Sequence, residues 1–364
     1  MQVKDVAKVM EEIAPLTYAE DFDNVGLLVG DYSNDVTGIL VTLDTTEEVV
    51  EEAIAKNCNL IISFHPIIFS GLKKLNGNNY VEKAVLKAIK NDINIYATHT
   101  ALDNSKVGVN FKIAEQLRLT NTSILIPKEN TIKQLITYVP TENLAALKNA
   151  LYEAGAGKIG NYDSCGFSTE GKGNFRPIEG ANPFIGEKGK LESVAESRVE
   201  VVMPQHLEGE ILKALFNNHP YEEVAYSVIN LNNKNKYIGI GMIGELEKEM
   251  SEQDFFSYLK TQMNTPMIRH SKLLNKKIKK VAVLGGSGAF AIKNAKNAGA
   301  DIYITADLKY HDFFSSENKL VLADIGHFES EQFTKNLITS YLKEKFTNFV
   351  IFNSGINTNP VNYC

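Results

Sequence analysis

The hydrophobic positions of the chain follow two patterns that alternate along its first and last thirds. Continuous apolar runs, typical of strands buried on both faces, are separated by segments with apolar residues at helical spacing. The alternation predicts an α/β fold with mostly parallel sheets covered by helices. A further segment, 237–246, is expected to form an edge strand. The apolar runs are 38–44, 59–65, 93–99, 279–286, 301–307, 319–327 and 348–354.

The middle of the chain has a different order of patterns. It reads as a strand, a helix, two short strands at 162–171 and 173–178, a Gly- and Pro-rich loop, a strand, a helix and a strand. This order resembles a ferredoxin-like βαββαβ module. We therefore predict one split α/β domain, residues 1–127 and 236–364, interrupted by an inserted ferredoxin-like α+β domain at 128–235. Sequential domains are the alternative.

Composition narrows the function classes. The 364 residues carry 38 basic and 44 acidic side chains, and this acidic balance argues against a nucleic-acid partner. No segment approaches the roughly 18 apolar residues of a membrane span, and the first residues lack a signal-peptide core. We therefore predict a cytoplasmic protein with no membrane partner. The three cysteines form no CxxC pair, so a metal site would need histidine and carboxylate ligands.

Side chains that can bind metals collect where the predicted strands end. Because the carboxyl ends of parallel strands meet at one edge of a sheet, these residues are expected to gather there. Taken singly, each is better explained as a strand exit, a turn or an acidic first turn of a helix. Nitrogen and oxygen ligands of this kind suit Zn, Mn or Fe. The residues are His65, His99, Asp103, Asp307, His311, His327 and Glu331.

Two further local patterns have chemical readings. His327 and Glu331 are four residues apart, so they share one face of a helix that begins at Gly326 or His327 and can hold one divalent ion. The glycine-rich segment 284–290 follows a strand and opens a helix. Its backbone N–H groups either bind a phosphate or form a tight turn that needs glycine. It matches neither the dinucleotide-binding nor the P-loop motif.

Six segments, in order along both outer thirds, resemble the Nif-three-like family, whose bacterial members are labelled GTP cyclohydrolase 1 type 2 homologues. The resemblance implies a split α/β domain that binds two metal ions and assembles into a homohexamer. It also implies that 128–235 is the insert of the longer bacterial members, similar to PII and CutA modules. The matching segments are 19–31, 60–75, 97–104, 283–289, 303–312 and 325–331.

The resemblance also assigns site residues. It implies metal ligands at His65, Asp103, His327 and Glu331. The chain departs from the family at Phe64, where the family usually has a second histidine, and phenylalanine cannot bind a metal. We therefore expect one or two divalent ions per chain, with His99 or water as the alternative ligand. By position, His99 and His311 are the candidates for proton transfer or phosphate contact.

These features lead to two hypotheses about function. The first is a metal-dependent hydrolase that activates water against a nucleotide or a related phosphate-bearing small molecule. The family label implies opening of the GTP ring, although the sequence contains no motif that reads guanine. The second is a non-catalytic regulatory protein, scaffold or metal chaperone with a small-molecule-sensing insert. Turnover by the metal-loaded protein distinguishes the two.

Overall fold

The computed structural model describes residues 1–364, which divide into two compact units. The first unit contains residues 1–127 and 236–364, and the second unit contains residues 128–235. The elements of residues 1–127 are α1 (Val3–Ile13), β1 (Gly26–Val29), β2 (Ile39–Thr42), α2 (Glu47–Ala55), β3 (Leu60–Ser63), α3 (Tyr80–Lys90), β4 (Asn94–Ala97), α4 (His99–Asp103), α5 (Val109–Gln116) and β5 (Thr120–Pro127).

The remaining elements complete both units. Those of the second unit are β6 (Ile132–Pro140), α6 (Leu144–Glu153), β7 (Gly166–Phe175), β8 (Glu192–Pro204), α7 (Glu208–Asn218) and β9 (Tyr226–Leu231). Those of residues 236–364 are β10 (Gly239–Ser251), α8 (Glu252–Met263), β11 (Arg269–His270), β12 (Lys277–Ser287), α9 (Ile292–Asn297), β13 (Ile302–Ala306), β14 (Val321–Asp324), α10 (His327–Glu331), α11 (Thr334–Lys345) and β15 (Ile351–Asn353).

The first unit contains two sheets, and the predicted α/β fold class is confirmed. The five-stranded sheet has the order β1-β4-β3-β2-β15, and all its neighbouring strands are parallel except β1 and β4. Every residue of β2, β3 and β4 is buried, because helices cover both faces. The parallel strands end at the same edge, and this edge carries the candidate site.

The six-stranded sheet is mixed, with the order β11-β14-β13-β12-β10-β5. Only two of its pairs, β12 with β13 and β13 with β14, are parallel. The prediction of an edge strand at 237–246 was wrong, because β10 pairs with both β12 and β5. The edge is β5, which the pattern did not predict since its first residues, Thr120–Ser123, are polar and mostly exposed. Pro127 of β5 pairs with Gly239 of β10. The two points where the chain leaves the first unit and returns to it therefore lie next to each other.

The main apolar core of the first unit lies between its two sheets. It joins side chains of both sheets, such as Ile62 and Val283, to the buried faces of α1, α5, α8 and α11. A second cluster packs α2 and α3 on the other face of the five-stranded sheet, and a third packs α9 on the six-stranded sheet. None of the helices has the length and the apolar character needed to cross a membrane. The cytoplasmic location stays a prediction.

The second unit has the element order βαββαβ and an antiparallel sheet of order β7-β8-β6-β9. Its core packs α6 and α7 against residues such as Leu135 and Val201. The prediction of two short strands at 162–171 and 173–178 was wrong, because one continuous strand, β7, spans most of these residues. The glycines there do not break the pairing with β8. The similarity of this unit to PII and CutA modules stays a prediction.

Candidate metal centre

The ends of parallel strands from both sheets contribute side chains to one cluster. His65 follows β3 by two residues, and hydrogen bonds from its backbone N–H to Leu43 and from the Ser63 hydroxyl to its carbonyl fix it there. His327 and Glu331 are the first and last residues of α10, which follows β14. One ligand atom from each of His65, His327 and Glu331 lies within 4.8 Å of the others. The structure therefore brings together three of the four predicted ligands.

Each histidine of the cluster is oriented by a carboxylate. His65 Nδ1 lies 2.8 Å from Asp44 Oδ1, and His327 Nδ1 lies 2.6 Å from Asp307 Oδ2. These carboxylates accept the Nδ1 protons, so each Nε2 atom is left for a second proton or a metal ion. A carboxylate behind the imidazole is typical of metal-binding histidines in proteins.

The two Nε2 atoms converge on one oxygen. They lie 3.1 Å (His65) and 3.2 Å (His327) from Glu331 Oε2. Glu331 is buried, and neither approach gives Oε2 an aligned hydrogen bond. Two imidazole nitrogens and a buried carboxylate oxygen around one point fit a divalent cation such as Zn, Mn or Fe.

Without a metal ion, protons supply the positive charge of this cluster. Burial lowers the pKa of His65, but the charge of Glu331 and the hydrogen bond to Asp44 outweigh burial and raise it to about 10. Burial also lowers the pKa of His327. The hydrogen bonds and charges of Asp307 and Glu331 outweigh burial and raise this pKa to about 11. Burial raises the pKa of Glu331, yet the two imidazoliums bring it below its ordinary value. The group therefore favours positive charge at its centre.

Asp103, the fourth predicted ligand, lies outside the three-residue group but close enough to interact with its charges. It is the last residue of α4, and its Oδ1 is buried without a hydrogen-bond partner. Burial and the negative charge of Glu331 raise its pKa well above the ordinary range. A buried oxygen with no donor fits a second cation position beside the group. Its role as a ligand stays a prediction.

His99 also adjoins the cluster. Its ring centroid lies 5.4 Å from that of His65, and its Nδ1 lies 2.7 Å from Asp23 Oδ1. The backbone of His99 has a φ of 27°, and that of Asp307 has a φ of 56°. Such conformations cost energy in residues other than glycine and concentrate at functional sites. His311 is not brought into the group; it lies on the exposed 3-10 helix Tyr310–Ser316, where its ring contacts Tyr310 and Phe314.

The orienting residues Asp44 and Asp23 were absent from the predicted site. Asp44 is the last residue of the apolar run 38–44, so its position at a strand end was already a signal for it. Asp23 precedes β1 and had no such signal. Its carboxylate reaches His99 across 76 residues of sequence and also accepts the backbone N–H of Thr100 at 3.0 Å.

The glycine-rich segment 284–290 makes room for the cluster. The N–H groups of Gly285 and Gly286 already donate to Asn110 Oδ1 at 3.0 Å and Ser330 Oγ at 2.9 Å. These two N–H groups are therefore not available to a phosphate, and phosphate binding by the rest of the segment stays a prediction. A Cβ at Gly286 would lie 2.5 Å from Glu331 Oε1, and its φ of 66° also favours glycine. The need for glycine at this position agrees with the tight-turn interpretation.

A cavity of about 400 Å³ opens beside the cluster. His65 and His327 line one side of it, together with their partners Asp44 and Asp307. Arg269 lines it as well, and its guanidinium is tied to the carbonyl of Leu308 at 2.9 Å and to the Asp324 carboxylate. The cavity has the size of a small-molecule site.

The fold and the cluster define a class of α/β proteins with a histidine–glutamate group, able to bind a metal, where the parallel strands end. The family model described as Duf34/NIF3 (NGG1p interacting factor 3) matches residues 1–360, and the chain belongs to this family. The predicted Nif-three-like membership is thus confirmed.

Relatives match over the full chain. A Staphylococcus epidermidis protein named GTP cyclohydrolase 1 type 2 homolog is 38% identical over 100% of both chains. A Bacillus subtilis protein of the same name is 38% identical over 99% of this chain and 98% of its own. The crystal structure of a Bacillus cereus protein related to NIF3 has a TM-score of 0.89 at 39% identity, covering 100% of this chain and 99% of that one.

Replacement of Phe64 by histidine is expected to raise the metal content. The Phe64 ring is fully buried, and its centroid lies 4.9 Å from that of His65 and 5.7 Å from that of His99. An imidazole there would add a nitrogen ligand where phenylalanine offers none. Elemental mass spectrometry should show up to one additional ion per chain, whereas Phe64→Leu should show none. An unchanged metal count in Phe64→His would mean that another residue already supplies the ligand.

Proposed function

We propose that the chain is a metal-dependent hydrolase that acts on a nucleotide or a related phosphate-bearing small molecule. The observation that carries the proposal is the convergence of two carboxylate-oriented Nε2 atoms on a buried Glu331 oxygen beside a cavity. His65, His327 and Glu331 would hold one divalent ion, and Asp103 would help to hold a second. When bound, such an ion acts as a Lewis acid and lowers the pKa of water to about 7.

The chain's own residues supply orientation and proton transfer. Asp44 and Asp307 hold the two imidazole rings through Nδ1, so that both Nε2 atoms stay directed at Glu331 Oε2. His99 is fixed in the same way by Asp23, and it is the residue proposed to accept a proton from the attacking water. The proposal gives no proton-transfer role to His311, because its ring packs on an exposed helix.

The name of the full-length relatives makes GTP the first substrate to test. Protein purified without a tag or chelator, then loaded with Mn²⁺ or Zn²⁺, is incubated with GTP, other nucleotides and phosphomonoesters. Turnover is followed by chromatography of the products. We expect at least one of these compounds to be converted, and His327→Ala to slow conversion by about a hundredfold or more through loss of a ligand.

The same experiment tests the alternative function. If the metal-loaded protein converts no member of the panel, the hydrolase proposal fails. A regulatory protein, a scaffold or a metal chaperone then becomes the better explanation, and the bound metal becomes its cargo or structural ion. The homohexamer predicted from the resemblance stays a prediction, which the molar mass from light scattering tests.

A further inference from the structure

The second unit contains a cavity of about 670 Å³ that the proposed hydrolase does not use. Its walls are the end of β7, the loop that follows β7, the start of β8 and the segment around Tyr221. All of its lining residues lie between Tyr138 and Ala225, within the second unit. A cleft of this volume with a few polar groups among apolar walls is typical of small-molecule sites.

One buried charge faces this cavity. Glu196 on β8 lines it and is only 9% exposed. Its Oε1 accepts a hydrogen bond from the Tyr221 hydroxyl at 2.8 Å, whereas its Oε2 has no hydrogen-bond or ion-pair partner. Because the residue is largely buried while this oxygen stays open to the cavity, a ligand that donates a hydrogen bond would find Oε2 unpartnered.

The neighbouring strand is shaped around this carboxylate. A Cβ on Gly173 of β7 would overlap Glu196 Oε2. The carboxylate therefore rests against bare backbone at a position that only glycine leaves open. The absence of a side chain at Gly173 therefore leaves open the space that Glu196 Oε2 occupies.

Aromatic rings form the apolar part of the wall. The Tyr221 ring centroid lies 5.8 Å from that of Phe175 and 6.4 Å from that of Phe184. The loop that carries Phe184 is fastened by a hydrogen bond from Asn182 N–H to Glu222 Oε1 at 2.8 Å. A second one, at 2.8 Å, joins Gly189 N–H to the Pro177 carbonyl. The rings are thus supported next to the buried carboxylate.

The exposed charges of the cavity wall have both signs, so they do not select a ligand by charge. Solvent screens such groups, and a buried charge therefore decides the preference. One of them, Arg198, also pairs through Nε with Glu200 Oε1 at 2.9 Å. The exposed acidic and basic residues of the wall are Glu170, Glu222, Glu223, Lys172, Arg176 and Arg198.

We propose that this cavity binds a small organic cation: a planar apolar ring that carries an amidine or a protonated amine. The ring would pack against Tyr221 and Phe184, and the charged group would donate a hydrogen bond to Glu196 Oε2. This proposal is independent of the metal centre, because none of its residues belongs to the first unit.

Benzamidine is the probe, and titration calorimetry of the full-length protein is the measurement. We expect benzamidine to bind, and benzoate, which has the same ring with the opposite charge, to bind at least about tenfold more weakly. Glu196→Gln should weaken benzamidine binding by about tenfold or more. Glu223→Gln, which removes an exposed acid of the same wall, should leave the affinity unchanged within about twofold.

Other outcomes would overturn the proposal. It fails if benzamidine does not bind, if benzoate binds equally well, or if Glu196→Gln binds as the wild type does. Loss of binding in His327→Ala, with binding kept in Glu196→Gln, would assign benzamidine to the metal centre instead. If thermal unfolding shows that Glu196→Gln does not fold, Phe184→Ala, which truncates a half-exposed ring, takes its place and should also weaken binding.

Discussion

Glu331→Gln is expected to remove most of the metal from the protein and to weaken the affinity for Zn²⁺ or Mn²⁺ by about a hundredfold or more. Glutamine keeps the shape of the side chain but lacks the negative charge. In the wild type that charge is buried, and its Oε2 lies 3.1 Å from His65 Nε2 and 3.2 Å from His327 Nε2. The two imidazoles alone would have to hold the ion.

Competition with a chromophoric chelator measures this affinity, and Glu329→Gln is the matched control. Glu329 lies on the same five-residue helix and is equally buried, but it hydrogen-bonds Asn359 Nδ2 at 3.0 Å instead of facing the histidines. We expect its variant to bind metal within about twofold of the wild type. Equal losses in both variants would mean that α10, rather than the Glu331 charge, is what matters.

Much of this site could be predicted from the sequence because strand ends have a simple signature. Apolar runs that end in histidine or aspartate mark buried parallel strands, and such strands end at a common edge. The strand-end pattern alone therefore predicts that His65, which follows a strand of one sheet, and His327, which follows a strand of the other, lie close together. The four-residue spacing of His327 and Glu331 then fixed a shared helix face, since α10 begins at His327.

Other parts of the site could not be predicted in this way. The pairing of Asp23 with His99 depends on where a loop before β1 returns to the sheet edge, and no periodic pattern encodes that return. His311 satisfied the same spacing from Asp307 that His327 and Glu331 satisfy. His311 is nevertheless not brought into the group, because its segment forms a 3-10 helix that begins only at Tyr310 and leaves Asp307 outside it.

Prediction of the fold from the sequence was limited in a similar way. Continuous apolar strands are visible in a sequence because both of their faces are buried, and β2, β3, β13 and β14 are of this kind. The edge strand β5 was not predicted because half of it is polar and mostly exposed, so it has no continuous apolar run. Which strand ends at an edge depends on pairing over long sequence separations, and β10 could be placed between β5 and β12 only from the structure.

Gly286→Ala is expected to damage both stability and metal binding. The backbone conformation, with a φ of 66°, costs an L-residue about 1–2 kcal/mol, and the added methyl would lie 2.5 Å from Glu331 Oε1. Overpacking of a buried site adds about 1–3 kcal/mol. We therefore expect the free energy of unfolding, measured with denaturant, to fall by about 2 kcal/mol or more. Since the carboxylate must move, metal affinity should fall by about tenfold or more.

Gly77→Ala separates the two causes. Gly77 also has a positive φ, 80°, but the nearest atom to its Cβ position is Leu86 Cδ1 at an ordinary 3.6 Å. The Gly77→Ala variant therefore has the unfavourable backbone conformation without the steric clash. Its metal affinity should equal that of the wild type. If Gly286→Ala loses no more metal affinity than Gly77→Ala, the glycine-rich turn serves the backbone alone. A selective loss would mean that the missing side chain at Gly286 is what allows Glu331 to reach both histidines.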